Sequence, residues 1–208
     1  IPQRWRWFVL LSASYLFYAW WNAALSLLIL SITGVTYLAA RALDTSASSN
    51  VRKLWLVLTL IVTLGLLVYF KYFNLLLRTV SALTSLFDEK DVFEAWDIIL
   101  PVGVSFYTFQ ALSYVIDVYR HKLKSDTHFG YYALFVSFFP QLVAGPIERA
   151  GNLLPQLRAE RRLSKADIKA GGRLLLSGFV RKLVIADMVA PLVNGIYGTA
   201  NPDGSAIL

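Results

Sequence analysis

Long apolar runs constrain the fold of this chain more than any other feature of its sequence. Three of them, spanning residues 20–40, 54–73 and 98–118, approach or exceed the roughly 18 to 20 residues that a helix needs to cross about 30 Å of hydrocarbon. A shorter run, residues 7–18, is consistent with a fourth span. Of the 208 residues, 57% are hydrophobic and only 16% are charged, which is typical of membrane proteins. These features predict an all-α, polytopic membrane helical bundle.

Several classes of segment and site are excluded by the same sequence. The apolar runs recur along the chain, so a secretory signal peptide does not explain them. Cysteine is absent, which rules out disulfides, thiolate metal sites and a cysteine nucleophile. The chain begins Ile1-Pro2 and ends where a further apolar run opens, so we interpret it as a piece of a longer protein.

Basic residues concentrate in one region of the chain. Between residues 148 and 182 there are nine basic residues against three acidic ones. Short loops rich in Lys and Arg stay in the cytoplasm, which places this region inside. Alternation of the spans then places the acidic loop 88–97 outside. We therefore predict one membrane domain over the whole chain, with transmembrane helices over 7–87, a central region over 98–147 and basic cytoplasmic helices over 148–197.

The segment FVSFFPQLVAGPIERA, residues 135–150, combines membrane hydrophobicity with residues that break helices. Its two basic flanks both belong in the cytoplasm, so a simple crossing conflicts with the positive-inside rule. A re-entrant segment that breaks at Pro140 and at Gly145-Pro146, and then returns, satisfies both flanks. Pro removes a backbone donor, and the carbonyls that it frees need partners inside the protein or beside water. The alternative is an ordinary helix kinked at Pro140.

Beyond Pro155 the sequence becomes amphipathic. Ser164 and Asp167 form a weak capping-box pattern at the start of a predicted helix. The basic residues that recur at multiples of four on one face of this helix are Lys165, Lys169, Arg173 and Arg181. This basic stripe faces either lipid head groups or an acidic ligand such as a nucleotide phosphate.

Residues with polar side chains follow one face of the helix predicted near 98–118. At alternating spacings of three and four, they are Tyr107, Gln110, Tyr114, Asp117 and His121. An ionisable group near a membrane helix is costly unless it faces the bundle interior, water or a partner. Two interpretations stay open for Asp117, which either lines a functional path or pairs with Arg120 or His121 near the helix end.

The two histidines, His121 and His128, lie in the polar stretch RHKLKSDTH and are interpreted as surface residues. Nothing apolar surrounds them to exclude water or tune their basicity for catalysis. The sequence has no Gly-rich phosphate loop, metal-ligand cluster or Ser-His-Asp arrangement. The residues alone therefore predict a membrane bundle with a broken, polar-lined centre.

Two long motifs are distinctive, LPVGVSFYTFQALSYVIDVYR at 100–120 and FVSFFPQLVAGPIERAGNLLPQL at 135–157. They resemble the membrane-bound O-acyltransferase family. Three shorter stretches, SYLFYAWW at 14–21, YFKYFNLL at 69–76 and GFVRKLVIADMVAPLVN at 178–194, are similar to the same family. Within it the resemblance is to the alginate O-acetylation branch, and it covers almost the whole chain.

The resemblance implies an enzyme that crosses the bacterial inner membrane several times. Such an enzyme takes an acyl group, here acetyl, from a cytoplasmic donor, either acetyl-CoA or another acyl thioester. It passes the group to an exported polysaccharide or to an extracytoplasmic acetyltransferase partner. The implied partners are the lipid bilayer and the exopolysaccharide acetylation machinery, with no nucleic acid, bound cofactor or metal. The residues expected to line either this acyl-transfer path or the core of the bundle are Tyr107, Gln110, Tyr114, Asp117, Gln141 and Pro146.

The catalytic histidine of the family is expected on a later segment, in a Trp-His-Gly-like context. Neither His121 nor His128 matches that context. The resemblance therefore implies the amino-terminal half of the enzyme, with no catalytic residue in this chain. Two other function classes stay open. One is a membrane transporter or flippase, since broken helices also build substrate paths, and the other is a non-catalytic membrane scaffold.

Overall fold

The computed structural model describes residues 3–84, 103–160 and 164–197, and all of their regular structure is helical. The helices are α1 (Gln3–Trp21), α2 (Ala23–Thr45), α3 (Ser49–Thr84), α4 (Val104–Tyr119), α5 (Phe129–Ser137), α6 (Phe139–Ala144), α7 (Ala150–Arg158), α8 (Lys165–Val180) and α9 (Asp187–Tyr197), with a π-helical turn (Arg181–Ala186) joining α8 to α9. The all-α prediction is confirmed for these residues. The chain forms two compact units, 1–159 and 160–208. The acidic loop 88–97 lies outside the described residues.

Two of the described helices are long and apolar enough to cross a membrane. The candidate spans are Ser26–Thr45 in α2 and Ser49–Phe73 in α3. Only 17% of the apolar window in α3 is buried, so most of its apolar side chains face away from the bundle. A helix that buries so little apolar surface needs lipid or another apolar partner around it.

The predicted span boundaries differ from the observed helices, and two of the helix starts have a clear local cause. The run 20–40 is divided at Asn22, whose side-chain oxygen accepts from the Ala24 N–H at 2.9 Å and so starts α2. In the run 98–118, residues 98–102 lie outside the described residues, and α4 begins at Val104, directly after Gly103, which adopts the left-handed backbone (φ 72°). The resulting α4 has 16 residues and is largely buried. It is therefore a central helix of the unit and is too short to be a candidate span.

The first unit is built around α4. This helix packs against α2, α3, α5 and α7, while α1 packs against α2, α5 and α6. The largest side chains that are fully buried in its core are Ile29, Ile32, Leu43, Tyr107, Tyr114, Tyr132, Leu134 and Phe135. The polar face of α4 therefore lies in the centre of a helical unit.

After α6 the chain returns to the end of the first unit at which α5 begins. At the start of α7, Arg149 lies 3.9 Å from Asp117 near the end of α4. At its other end, Arg158 pairs with Asp126 in the α4–α5 connection at 2.5 Å. Residues 129–149 thus leave the α4–α5 connection and come back to it. Residues 148–159, which the charge pattern groups with the basic helices, belong to the first unit.

The second unit begins with a complete capping box. The Ser164 hydroxyl accepts from the Asp167 N–H at 3.1 Å, and the Asp167 carboxylate accepts from the Ser164 N–H at 3.1 Å. The predicted capping box is therefore confirmed. Within this unit α8 buries none of its side chains, and Arg181, the last member of the predicted basic stripe, begins the π-helical turn. Lys182 in that turn pairs with Asp187.

We predict that Gly130→Ala destabilises the first unit. A methyl group at Gly130 would lie 2.2 Å from the Trp7 ring, which is held against the rings of His128 and Tyr131. Moving that ring disturbs the packing of α1 on α5, at a cost of about 1–3 kcal/mol. Thermal or denaturant unfolding of the purified protein in detergent measures the loss. As a control, the methyl group of Gly65→Ala in α3 meets no atom within 4 Å beyond its own helix backbone, so this variant should be at least as stable as wild type. Equal stability of the two variants would contradict this packing.

Candidate functional site

A break in the helix precedes Pro140. Helix α5 ends at Ser137, Phe138 is extended (φ −60°, ψ 100°), and α6 begins at Phe139 with Pro140 in its first turn. The proline ring would collide with the Val136 carbonyl in a continuous helix, whereas the first turn of a new helix accepts it. The alternative of a single helix kinked at Pro140 is therefore wrong.

Side chains from two other helices bond two of the backbone groups at this break. In a continuous helix the Phe139 N–H would bond the Phe135 carbonyl. Here the Phe139 N–H donates to the Ser14 hydroxyl of α1 at 3.4 Å. The Phe135 carbonyl instead accepts from the Gln110 amide of α4 at 2.6 Å. The Phe135 carbonyl and the Phe139 N–H thus stay hydrogen-bonded although the helix is interrupted between them.

Gln141 extends this network to the far side of α6. Its amide nitrogen donates to the Gln110 side-chain oxygen at 2.9 Å and to the Pro146 carbonyl at 2.8 Å. Both glutamines are buried, with Gln110 2% and Gln141 9% exposed. Pro146 contributes its carbonyl, while its ring is exposed. The Gln110–Gln141 amide pair is therefore one of the contacts that join the sequence motifs at 100–120 and 135–157.

Three buried polar side-chain atoms of α4 and α6 have no hydrogen-bond partner among the described residues. They are the Gln141 side-chain oxygen, the Tyr107 hydroxyl and the Thr108 hydroxyl. Buried polar atoms without partners are uncommon and call for an explanation, such as a ligand, water or another part of the chain. Sequence reasoning missed Thr108, because it lies one residue off the face that the spacing of Tyr107 and Gln110 defines.

The polar residues of α4 have two sets of partners. Gln110 belongs to the network around the helix break, whereas Tyr114 contacts the α4–α5 connection. The Tyr114 hydroxyl accepts from the Asp126 N–H at 2.6 Å. Asp117 lies near Arg149, and among the described residues it forms no ion pair with Arg120 or His121, which was one of its two open interpretations. The reason is that α4 ends at Tyr119, and His121 turns the chain with a positive φ of 58°. His121 is thus exposed beyond the helix and does not share its face.

His128 has a structural contact. Its imidazole Nδ1 accepts from the Tyr131 N–H at 3.3 Å, which caps the start of α5, and its ring packs edge-on against Trp7 with centroids 4.8 Å apart. Both histidines are exposed, as predicted. We call Gln110, Gln141 and the Phe135 and Pro146 carbonyls that they bind the glutamine network. Among the described residues, neither histidine forms a hydrogen bond with it.

A cavity of about 430 Å³ lies between the α4–α5 connection and α7. Tyr114 and the Asp126–Arg158 pair line it, with Leu123, Leu154 and Pro155 supplying apolar surface. The Arg158 guanidinium also lies 5.0 Å from the centre of the Tyr131 ring, a cation–π contact. Sequence reasoning missed Asp126 and Arg158, since no local pattern joins residues this far apart.

Comparison with known proteins gives matches along almost the whole chain. The chain is 34% identical over 202 residues to a probable alginate O-acetylase of Azotobacter vinelandii, covering 97% of this chain and 40% of the relative. It is 35% identical over 201 residues to a probable alginate O-acetylase of Pseudomonas aeruginosa, covering 96% and 38%. The chain is homologous to the alginate O-acetylases. A peptidoglycan O-acetyltransferase of Helicobacter pylori is 33% identical over 215 residues, covering 91% of this chain and 39% of the relative.

The homology confirms the resemblance of the two long motifs to this branch. These motifs supply α4, the end of α5, α6 and nearly all of α7, the elements that surround the helix break. The chain spans about two fifths of the length of these relatives. No protein-family model matches the chain, and no solved structure matches it.

We predict that Gln110 and Gln141 are energetically coupled. Gln110→Leu leaves the Phe135 carbonyl and the Gln141 amide without their partner, at about 1–3 kcal/mol for each buried group. Once Gln110 is lost, Gln141→Leu should cost less than it does in wild type, giving a coupling of about 0.5–3 kcal/mol. Unfolding of the wild type, both single variants and the double variant measures this cycle.

Ser113→Ala is the control for this cycle. Its hydroxyl is half-buried on the same helix and donates only to the Gln110 backbone carbonyl at 2.8 Å. It should be additive with Gln141→Leu. Additivity of Gln110→Leu with Gln141→Leu would show that the amide pair does not hold the break.

Proposed function

We propose that the protein containing this segment is a membrane-bound O-acetyltransferase that modifies an exported polysaccharide. The observation that carries the proposal is homology, across α4 to α7, to proteins named as alginate O-acetylases and a peptidoglycan O-acetyltransferase. Acetyl transfer from a cytoplasmic thioester such as acetyl-CoA breaks a carbon–sulfur bond and forms a carbon–oxygen bond. The hydroxyl proton passes to a base and the thiol leaves. The acceptor is the polysaccharide or an extracytoplasmic acetyltransferase partner.

In this proposal the protein crosses the bacterial inner membrane several times, with α2 and α3 as two of its spans. The segment 129–149 is re-entrant: it enters the membrane from the cytoplasm, breaks at Phe138 and returns. Two observations support it, namely the docking of α7 on the α4–α5 connection and the basic residues on both flanks. Broken backbone at membrane depth is tolerated inside protein, and here Gln110 and Ser14 supply its hydrogen bonds.

The glutamine network forms part of the wall of the acyl-transfer path. Gln110 binds the Phe135 carbonyl and orients Gln141, so that the remaining Gln141 oxygen is a fixed acceptor. That oxygen and the Tyr107 hydroxyl can bind the polar atoms of a thioester or a sugar hydroxyl. Tyr114 and Asp117 hold the α4–α5 connection and α7 at the cytoplasmic end.

The catalytic base lies elsewhere in the full-length protein. The resemblance expects a histidine on a later segment, and the contacts of His128 give it the separate task of starting α5. Homology to acetyltransferases supports transfer over the two alternatives of a transporter and a non-catalytic scaffold.

We predict that Gln141→Leu in the full-length protein lowers acetyl transfer by about tenfold or more, which corresponds to about 1.4 kcal/mol in the barrier. The variant removes the fixed acceptor and both donated bonds of the Gln141 amide. Acetyl incorporation into polysaccharide, normalised to folded protein in the membrane, measures the effect. Membrane abundance should fall less than the normalised rate.

Two variants control for this result. Gln156→Leu makes the same change at an exposed position of α7 and should keep the rate. His128→Asn retains an oxygen that caps α5 and should also keep it. Unchanged normalised transfer in Gln141→Leu would remove Gln141 from the path. A full-length wild-type protein without acetyl transfer would overturn the proposed function itself.

A further inference from the structure

A second cavity, of about 460 Å³, lies at the turn between α2 and α3. It is separate from the helix break and from the cavity beside α7. The residues that line it are Ser46, Ala47, Ser49, Arg52, Tyr119 and His121. None of them carries a carboxylate, so a basic side chain is the source of charge in the wall.

Arg52 is the buried cation of this cavity, with 7% of its surface exposed. Its guanidinium donates to the Leu43 carbonyl, to the Tyr119 carbonyl at 2.7 Å and to the Val118 carbonyl at 3.3 Å. Among the described residues these are its only hydrogen bonds, and no carboxylate pairs with it. Two of the five guanidinium N–H donors thus have no acceptor there. The guanidinium carbon also lies 5.7 Å from the centre of the Tyr119 ring, a cation–π contact. A buried cation that only carbonyls and one ring offset favours an anion.

The cavity lies where two candidate membrane spans end. One span, Ser26–Thr45, stops just before Ser46, and the next, Ser49–Phe73, starts inside the cavity wall. The ends of apolar spans lie at the level of the lipid head groups. Basic pockets between membrane helices at this level bind anionic head groups.

We propose that this cavity binds the phosphate of an anionic phospholipid head group, with Arg52 as the cation and the Ser49 hydroxyl as a further donor. The N–H groups in the first turn of α3 point the positive end of the helix dipole at the same phosphate. Ser46 lines the cavity but does not donate to the phosphate, since its hydroxyl already donates to the Ala42 carbonyl at 2.6 Å. The proposal shares the membrane placement of the proposed function but does not depend on acetyl transfer.

The test measures lipid binding to the purified full-length protein in detergent. Dioleoylphosphatidylglycerol and dioleoylphosphatidylcholine are added in turn, and bound lipid is counted by native mass spectrometry over a concentration series. The wild type should prefer the anionic lipid. Ser49→Asp places a carboxylate in the cavity and should weaken that binding by roughly tenfold. The variant should fold, because Asp is favourable in the first turn of a helix. Arg52→Gln is less informative, since Arg52 also holds the ends of α2 and α4.

Asn50→Asp is the matched control. It makes the same charge change one residue along the exposed start of α3, outside the cavity wall. It should retain wild-type preference for the anionic lipid. Wild-type binding by Ser49→Asp, or equal losses in Ser49→Asp and Asn50→Asp, would overturn the site. If an equal concentration of inorganic phosphate displaces the lipid, the proposal that the cavity binds a phospholipid is wrong. Acetyl transfer measured on the same samples reports separately on the proposed function.

Discussion

The hydrogen bond from the Gln110 amide to the Phe135 carbonyl is the interaction on which the first unit depends. A helix that ends in the interior exposes carbonyls that cost free energy unless they find partners. Gln110 supplies that partner from α4, and Ser14 satisfies the N–H on the other side of the break. The same Gln110 side chain then binds Gln141. One buried amide therefore fixes both the break and the helix that follows it.

The return of the chain follows from that break. With α5 and α6 as two short helices, α7 is brought back to the α4–α5 connection. There Asp126 forms an ion pair with Arg158 at 2.5 Å. The more exposed Arg149 lies 3.9 Å from Asp117. Exposed pairs contribute little, so Asp126–Arg158 is the stronger anchor. The polar face of α4 thus organises a packed centre, and the long apolar α3 stays on the outside.

Periodicity predicted the centre of the unit well. Tyr107, Gln110, Tyr114 and Asp117 share a buried face of α4, because spacings of three and four residues repeat with the helical turn. The partner of Asp117 could not be predicted, since Arg149 is brought to it only by the return of the chain. Local backbone geometry likewise decided the helix ends, at Asn22 and Gly103. Such ends depend on single residues, which an average over an apolar run does not detect.

The distance between the two flanks of segment 129–149 tests the account most directly. Lys124 and Gly151 line one cavity, so spin labels at the exposed positions Lys124 and Asn152 should be close. Pulsed electron paramagnetic resonance on the full-length protein in nanodiscs measures this distance. Broken helices that return predict a distribution below about 20 Å, whereas flanks on opposite sides of the bilayer are separated by at least about 30 Å of hydrocarbon. A main population at or beyond that thickness would contradict the account.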